Sequence, residues 1–367
     1  MRFTYFKVML LFLFLPAIAQ TQEQDSLAIQ LFAEVYTSFI PAKPNTEKRP
    51  GYFYNYGNAN TASINMALAR VFYQRKKFRT NLGLMAGDYA RNNLAPEQPW
   101  ARNIYEANVG YRFSNKEQIW LDVGVFPSHI GAESAIGKDN WTATRSIVAD
   151  NSPYYETGIR FSYKPGSQWY FALLTLNGWQ RITAPLNQLG ANWGAQVSYS
   201  PNSMVSFNSS SYIGKVRNNG VYKTRIYSNL YATAWLSKRL GLLAGWDFGM
   251  QEGSLTPGSY AWNDVSVQLR YKLKPEKLAL AVRYEQMNDP NRVLYQPETN
   301  PSLSFYVQLV SANLDCMPLN GFLLRAEANF QSSPKPLFFK ENKAVPQQFS
   351  AFLIASYNFQ FSKKRQF

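Results

Sequence analysis

The sequence predicts an all-β fold, a transmembrane antiparallel up-and-down β-barrel of about 16 strands (roughly 14–18), and three observations carry that expectation. First, the chain opens MRFTYFKVMLLFLFLPAIAQ, in which Arg2 and Lys7 precede the apolar run Val8 to Leu15 and then Ala17-Ile18-Ala19. That is the order of a secretory signal peptide, expected to be cut after Ala19. Second, aromatic residues make up 16% of the chain, with 24 Tyr and 25 Phe, yet the mean hydropathy is slightly polar. Strands that are apolar on alternate residues only, with aromatic girdles at two interfaces, reconcile those facts. Third, segments of period-2 alternation recur along the chain, separated by alternately short and long connections. No later run reaches the ~18 apolar residues of a membrane helix, so a crossing has to be made by strands.

The expected organisation is a signal peptide over residues 1–19, a short periplasmic lead over 20–30, the barrel over 31–361 and a basic periplasmic tail over 362–367. Leu31 to Phe39 reads as the first strand, followed by a loop rich in Pro, Asn and Tyr from Pro41 to Asn60. Ala62, Ile64, Met66 and Leu68 alternate with Ser63, Asn65, Ala67 and Ala69; after the turn Gln74-Arg75-Lys76-Lys77, Phe78, Leu82 and Leu84 alternate with Arg79, Asn81 and Gly83. The loop Asp88 to Ala101 leads to a strand that sets Val109 and Tyr111 against Glu106, Asn108 and Arg112.

Short turns recur at Ser114-Asn115-Lys116, Lys164 to Ser167, Ser200 to Ser203, Ser237-Lys238-Arg239, Lys272 to Lys277 and Asp315 to Asn320. Long connections fall at Gly178 to Gly190, Gly214 to Tyr222, Gln251 to Ser259, Asp289 to Asn300 and Gln331 to Pro346. An even strand number with both termini on the short-turn side is the parity of a bacterial outer-membrane barrel. The last strand sets Phe349, Ala351, Leu353, Ala355, Tyr357, Phe359 and Phe361 on one face, longer than the ~9 to 11 residues a tilted crossing needs.

The longest stretch without strand character is Pro127 to Pro153, and it is expected to be the third extracellular loop, folded inward. About 27 residues exceeds what a hairpin requires, and loops of that length in compact folds are usually functional. It holds the chain's one histidine, His129, with Glu133, Lys138, Asp139, Arg145 and Asp150. These six are the candidate constriction residues. Trp141 to Ala149 is expected to form a short helix capped by Asp139 or Asn140, and His129 to hydrogen-bond within the loop or to the lumen wall.

Opposite the apolar face of the strands stand Arg79, Arg112, Arg160, Arg225, Arg270, Arg283 and Arg325 with Glu106, Asp122, Glu156 and Glu327, and also Glu34, Asp247, Asp264 and Glu285. In a water-soluble β-sandwich the same residues would be an outer, solvated face. Export, strand length and the hairpin repetition favour instead a lumen, since a barrel of about 16 strands leaves an aqueous channel. The inward charges nearly cancel. Without Arg2 and Lys7 of the expected signal peptide the formal charge of +15 falls to +13, and this surplus sits mainly on turns and tail: Arg75, Lys76, Lys77, Lys164, Lys238, Arg239, Lys272, Lys274, Lys277 and Lys363-Lys364-Arg365. Export makes lipids, lipopolysaccharide and small anions the partners of that charge, with no role for nucleic acid. The assembly machinery of the outer membrane, small polar solutes and further copies of the chain complete the partners expected. A single cysteine, Cys316, excludes an internal disulfide, and one His with one Cys excludes the common zinc spacings; no cofactor or metal is expected.

The run SHIGAESAIGKDNWTATRSIVADNSPYYETGIRFSY, with NGWQRI at Asn177 to Ile182 and EANVGYRFS at Glu106 to Ser114, resembles the OmpL-like β-barrel porin family of Gram-negative outer membranes. The likeness covers roughly Phe32 to Phe361 and is sharpest from Gly124 to Ile182. It implies a single outer-membrane barrel with a porin architecture, and it transfers no catalytic residue. Passive diffusion of small polar solutes past the loop 127–153 is the function expected. Two other readings stand beside it. One is a non-conducting anchor of an envelope complex, for which Tyr52, Phe53, Tyr54 and Tyr56 or Leu337, Phe338 and Phe339 would be contact surfaces. The other is a barrel-wall hydrolase built on His129, which adjacency alone does not pair with Ser128, since a base must reach its nucleophile from a separate position, and which Glu133 or Asp150 would orient.

Overall fold

The computed structural model describes residues 25–41, 48–184, 192–218, 220–253 and 258–365. The expected signal peptide, the start of the lead, parts of the loops 41–60, 178–190, 214–222 and 251–259 and the last two residues of the tail lie outside the described residues. In chain order the strands are β1 (Asp25–Phe39), β2 (Ala62–Arg75), β3 (Phe78–Ala86), β4 (Ile104–Arg112), β5 (Gln118–Pro127), β6 (Tyr155–Lys164), β7 (Trp169–Leu176), β8 (Asn192–Asn202) and β9 (Val205–Asn218). They continue with β10 (Val221–Trp235), β11 (Leu240–Glu252), β12 (Ser259–Lys274), β13 (Leu278–Asp289), β14 (Phe305–Cys316), β15 (Phe322–Ser332), β16 (Phe338–Lys340), β17 (Lys343–Val345) and β18 (Gln347–Arg365). Two short helices, α1 (Asp88–Asn93) and α2 (Ile147–Asp150), sit in loops.

The strands β1 to β15 pair in sequence, and β18 closes the ring between β15 and β1, giving an antiparallel barrel of sixteen strands; β16 and β17 form a separate two-stranded ribbon. Closure matters because a sheet in lipid has no water to satisfy an open edge. The seam runs from Asp25 opposite Arg365 to Phe39 opposite Ala351. Residues 25–30 and 362–365 are therefore paired strand, where the sequence suggested a lead and a tail. Residues 362–365 are polar and Leu27-Ala28-Ile29 breaks the alternation, so neither shows an apolar period of two, while the backbone ladder is indifferent to side-chain polarity.

The distribution of side chains is inside-out. Leu82, Val123, Leu173 and Leu353 face outward, the last 60% exposed, while Glu34, Asp122, Glu156, Asp264 and Glu285 are fully buried on the inner face. Transferring an exposed Leu or Val to lipid gains on the order of 1–2 kcal/mol each, so the barrel is stabilised by the solvent it spans. Three local expectations change. In β2 the register shifts opposite Glu34 and Val35, so that Asn65 is an extra residue and Met66, Leu68 and Arg70 turn inward. Such a bulge reverses the faces of everything beyond it. The connection expected at Gly214 to Tyr222 shrinks to residues 219–220, because β9 and β10 extend past the apolar zone with Lys215 paired to Thr224. And β14 continues through Asp315 to Cys316, which the sequence placed in a turn.

Candidate functional site: the inner wall and the β5–β6 connection

Residues 128–154 join β5 to β6 with little secondary structure of their own, and backbone groups left unpaired in that way need partners elsewhere. Side chains of the inner wall supply them. Glu327 of β15 accepts from the Thr144 amide at 2.5 Å and its hydroxyl at 2.8 Å. Glu285 of β13 accepts from the amides of Ile147 and Val148 at 2.5 and 3.2 Å. Asn313 of β14 and Asn229 of β10 accept from the amides of Ala143 and Gly131 at 3.2 and 3.1 Å.

Carbonyls of the connection are bound by guanidinium groups. Arg283 donates to Thr144 O at 2.6 Å, Arg325 to Asn140 O at 2.6 Å and Gly137 O at 2.7 Å, and Arg270 to Trp141 O at 2.8 Å. Carboxylates thus serve amides and guanidinium groups serve carbonyls. Asp315 in turn holds Arg325 at 2.8 Å and Arg270 at 2.6 Å.

Within the connection, Glu133 accepts from the Ser146 hydroxyl and, at 3.0 Å, its amide, and from Gln268 Nε2 at 3.1 Å. The Ser146 hydroxyl also accepts from the Ala149 amide and caps α2. The expected helix over Trp141 to Ala149 is therefore only the single turn Ile147–Asp150, capped by Ser146 and not by Asp139 or Asn140. Residues 140–144 form a run of bends instead of helix, with wall side chains bonding the amides of Ala143 and Thr144 and the carbonyls of Asn140, Trp141 and Thr144. Arg145 lies 3.4 Å from Asp150 and 3.8 Å above the Tyr154 ring. Burial pushes the Asp150 carboxyl up from its ordinary range, against the pull of Arg145 and Arg49.

His129 is buried, with Nδ1 2.8 Å from Glu156 Oε2 and Nε2 2.8 Å from the Ser211 carbonyl oxygen. Burial works against its charged form, yet Glu156 and the Ser211 carbonyl together outweigh it and raise its pKa. Both ring nitrogens are engaged, so neither is placed to take a proton from Ser128. Gly194 of β8 leaves the space: a Cβ there would lie 2.7 Å from His129 Cε1.

The predicted constriction residues divide. His129, Glu133, Arg145 and Asp150 are bonded into this assembly; Lys138 and Asp139 bond to each other at 2.5 Å and keep much of their surface exposed. Of the predicted wall residues, Arg270, Arg283, Arg325, Glu156 and Glu327 hold the connection. Arg225 stands apart among rings, bonded to Gln251 at 2.6 Å and 4.8 Å from the Trp179 centroid.

A second group lies on β3 to β6. Arg79 makes a two-point contact with Asp122 at 2.7 and 2.6 Å, Arg160 reaches the same carboxylate at 3.2 Å, and Arg112 lies 5.7 Å from the Trp120 ring centroid. Gly110 makes room for it, since a Cβ would lie 2.3 Å from Asp122 Oδ1. Glu106 is held by Arg70 at 2.7 Å. Sequence reasoning missed Arg70, Asp315, Asn313, Thr142 and Thr144. Tyr52, Phe53, Tyr56, Leu337 and Phe338, expected as exposed loop contact surfaces, are buried in clusters at the long-loop end. Tyr52 packs against Phe305 at 5.0 Å between ring centroids.

Against known families, residues 26–361 match the one described as "Putative beta-barrel porin-2, OmpL-like". The chain belongs to this family. No curated protein matches it. Among solved structures, this family member is similar to the outer membrane channel DcaP of Acinetobacter baumannii, at 11% identity and a TM-score of 0.61, over 94% of this chain and 100% of that one. It is also similar to an anion-selective porin from Comamonas acidovorans, at 10% identity and a TM-score of 0.54, over 91% of this chain and 98% of that one. A trimer form of OmpT, an outer membrane protein of Vibrio cholerae, matches at 11% identity and a TM-score of 0.56, over 91% and 99% of the two chains. At these identities the likeness is one of fold: an outer-membrane porin barrel.

Proposed function

We propose that this porin-family barrel conducts small polar solutes by passive diffusion, and that the segment 127–153, lying along the inner wall, narrows the passage. The observation that carries the reading is the division of the inner face. The connection is bonded at its start to Glu156 of β6 and to β9, and beyond that to β10 and β12 through β15, whereas Arg70, Arg79 and Arg160 stay partly open to solvent. Fixed guanidinium and carboxylate groups beside a narrowed water path set a field across it, which sorts solutes by size and charge. In this reading the short turns face the periplasm, residues 1–19 are removed on export, and no bond is made or broken in the solute. Outward-facing Ala312, Ala326, Ala328, Ala351 and Ala355 leave shallow grooves on β14, β15 and β18 where a second copy fits closely. Cross-linking in the native membrane reads that association.

Liposome swelling with graded sugars tests the constriction by comparing the wild type with a deletion of residues 132–149. The deletion is expected to admit larger sugars; an unchanged cutoff removes the segment from any role in sieving. Folded protein that opens no channels in planar bilayers favours the anchor reading instead.

A further inference from the structure

At the short-turn end, a cavity of about 720 Å³ opens on the inner face between β3, β5, β6 and β7. Four cations line it: Arg79 and Arg160 from the wall, Lys116 and Lys164 from the adjoining turn and strand end. Glu117 is the carboxylate in the lining, and Asp122 stands fully buried behind it. Asp122 is shared, 2.6 Å from Arg79 and 3.2 Å from Arg160, so one carboxylate serves two guanidinium groups. Arg79 is further fixed by lying 4.0 Å from the Trp120 ring centroid. Set against two carboxylates, four cations leave an excess of two positive charges.

The guanidinium groups are positioned before any ligand arrives, while both lysines are free to close on one. Donors fixed in advance cost little to bind with, and guanidinium groups fit the oxygens of phosphate and carboxylate at two points. The hollow is open to water and lies on the inner face, so a lipid headgroup whose tails sit outside the barrel does not reach it.

We propose that this hollow is a docking subsite for small solutes carrying two or more oxyanion charges, phosphate- or carboxylate-bearing. It rests on the porin reading only for how such a solute arrives. The test is calorimetric titration of inorganic pyrophosphate, and in parallel of succinate, into the mature full-length barrel folded in detergent at low salt; the two arms separate phosphate from carboxylate selectivity. Saturable binding is expected, weakened about tenfold in the double variant Lys116→Ala/Lys164→Ala, as for the loss of charge-assisted contacts, and lost in Arg160→Gln. Lys238→Ala/Arg239→Ala, which removes the same charge from another turn, is expected to bind like the wild type.

Absence of binding of either anion in the wild type, equal affinity in the lysine variant, or an equal loss in the Lys238/Arg239 control overturns the proposal. Heat-modified gel mobility reports folding, and if Arg160→Gln does not fold the lysine pair decides. Channels in bilayers without anion binding sink the hollow and leave the porin; anion binding without channels sinks the porin and leaves the hollow.

Discussion

The two halves of the inner wall put the same residue types to different uses. Under the β5–β6 connection, Arg283 and Arg325 have side chains 0% and 1% exposed; Arg283 donates to Thr142 and Thr144, and Arg325 to loop carbonyls and to Asp315. Across the lumen, Arg70, Arg79 and Arg160 are 14%, 25% and 20% exposed while holding one carboxylate or sharing one. An arginine is therefore buried structure or solvent-facing according to what covers it. The covered wall exchanges hydration for hydrogen bonds to a polypeptide. The open wall keeps part of its hydration, and with it the capacity to meet an anion.

The largest effect is expected on the covered side. Arg283→Ala strands Glu285 and Glu327 and the Thr144 carbonyl in a buried setting, and breaking such an ion pair costs about 3–5 kcal/mol. Arg79→Ala leaves the buried Asp122 carboxylate still paired with Arg160, so a smaller loss of about 1–3 kcal/mol is expected. Thermal unfolding of the two variants in detergent measures the contrast, and equal losses would erase it. Next, Glu327→Ala removes the acceptor of the Thr144 amide and hydroxyl, at about 1–3 kcal/mol for the buried donors left unpaired. The expected readout is proteolytic nicking near Thr144 with the strands intact; resistance equal to wild type would show the anchor to be redundant.

A smaller effect is tied to pH. Because the folded pKa of His129 is raised, its charged bond to Glu156 contributes fully below the pKa of an unfolded histidine and is lost as pH rises through the folded value. The connection is thus expected to be held more tightly at pH 5 than at pH 9, and His129→Gln to flatten that dependence. Channel noise measured across this range checks it, and a dependence that survives the substitution assigns it to another group. The smallest effect on stability belongs to Arg160→Gln, whose readout is selectivity: the reversal potential in a salt gradient moves towards cations. No movement would mean that the open wall does not face the permeating ions.

Much of this was legible in the chain. The strands and their two faces follow from a period of two, which each segment such as Ile119 to Val125 or Phe349 to Phe361 carries by itself, while closure and the inside-out sense were read from export, strand length and hairpin repetition. What escaped did so for local reasons. Arg70 was hidden by the bulge at Asn65, which exchanges the faces of β2. Asp315 was hidden by a strand that runs on past its apolar residues. Thr142, Thr144 and Asn313 are neutral and carry no charge signal, though they are central to how the connection is held. His129 and Glu156 were each singled out, but nothing in their spacing pairs them.

By itself the sequence determined the outward face of the strands that run without a bulge, because alternation is written residue by residue and needs no partner to be read; beyond the bulge at Asn65 it did not. Only the tertiary structure decided which inner charges hold a loop and which face water. That depends on where a segment of irregular backbone lies once β18 has closed on β1, and its hydrogen bonds reach side chains more than a hundred residues away. No local period records such distances.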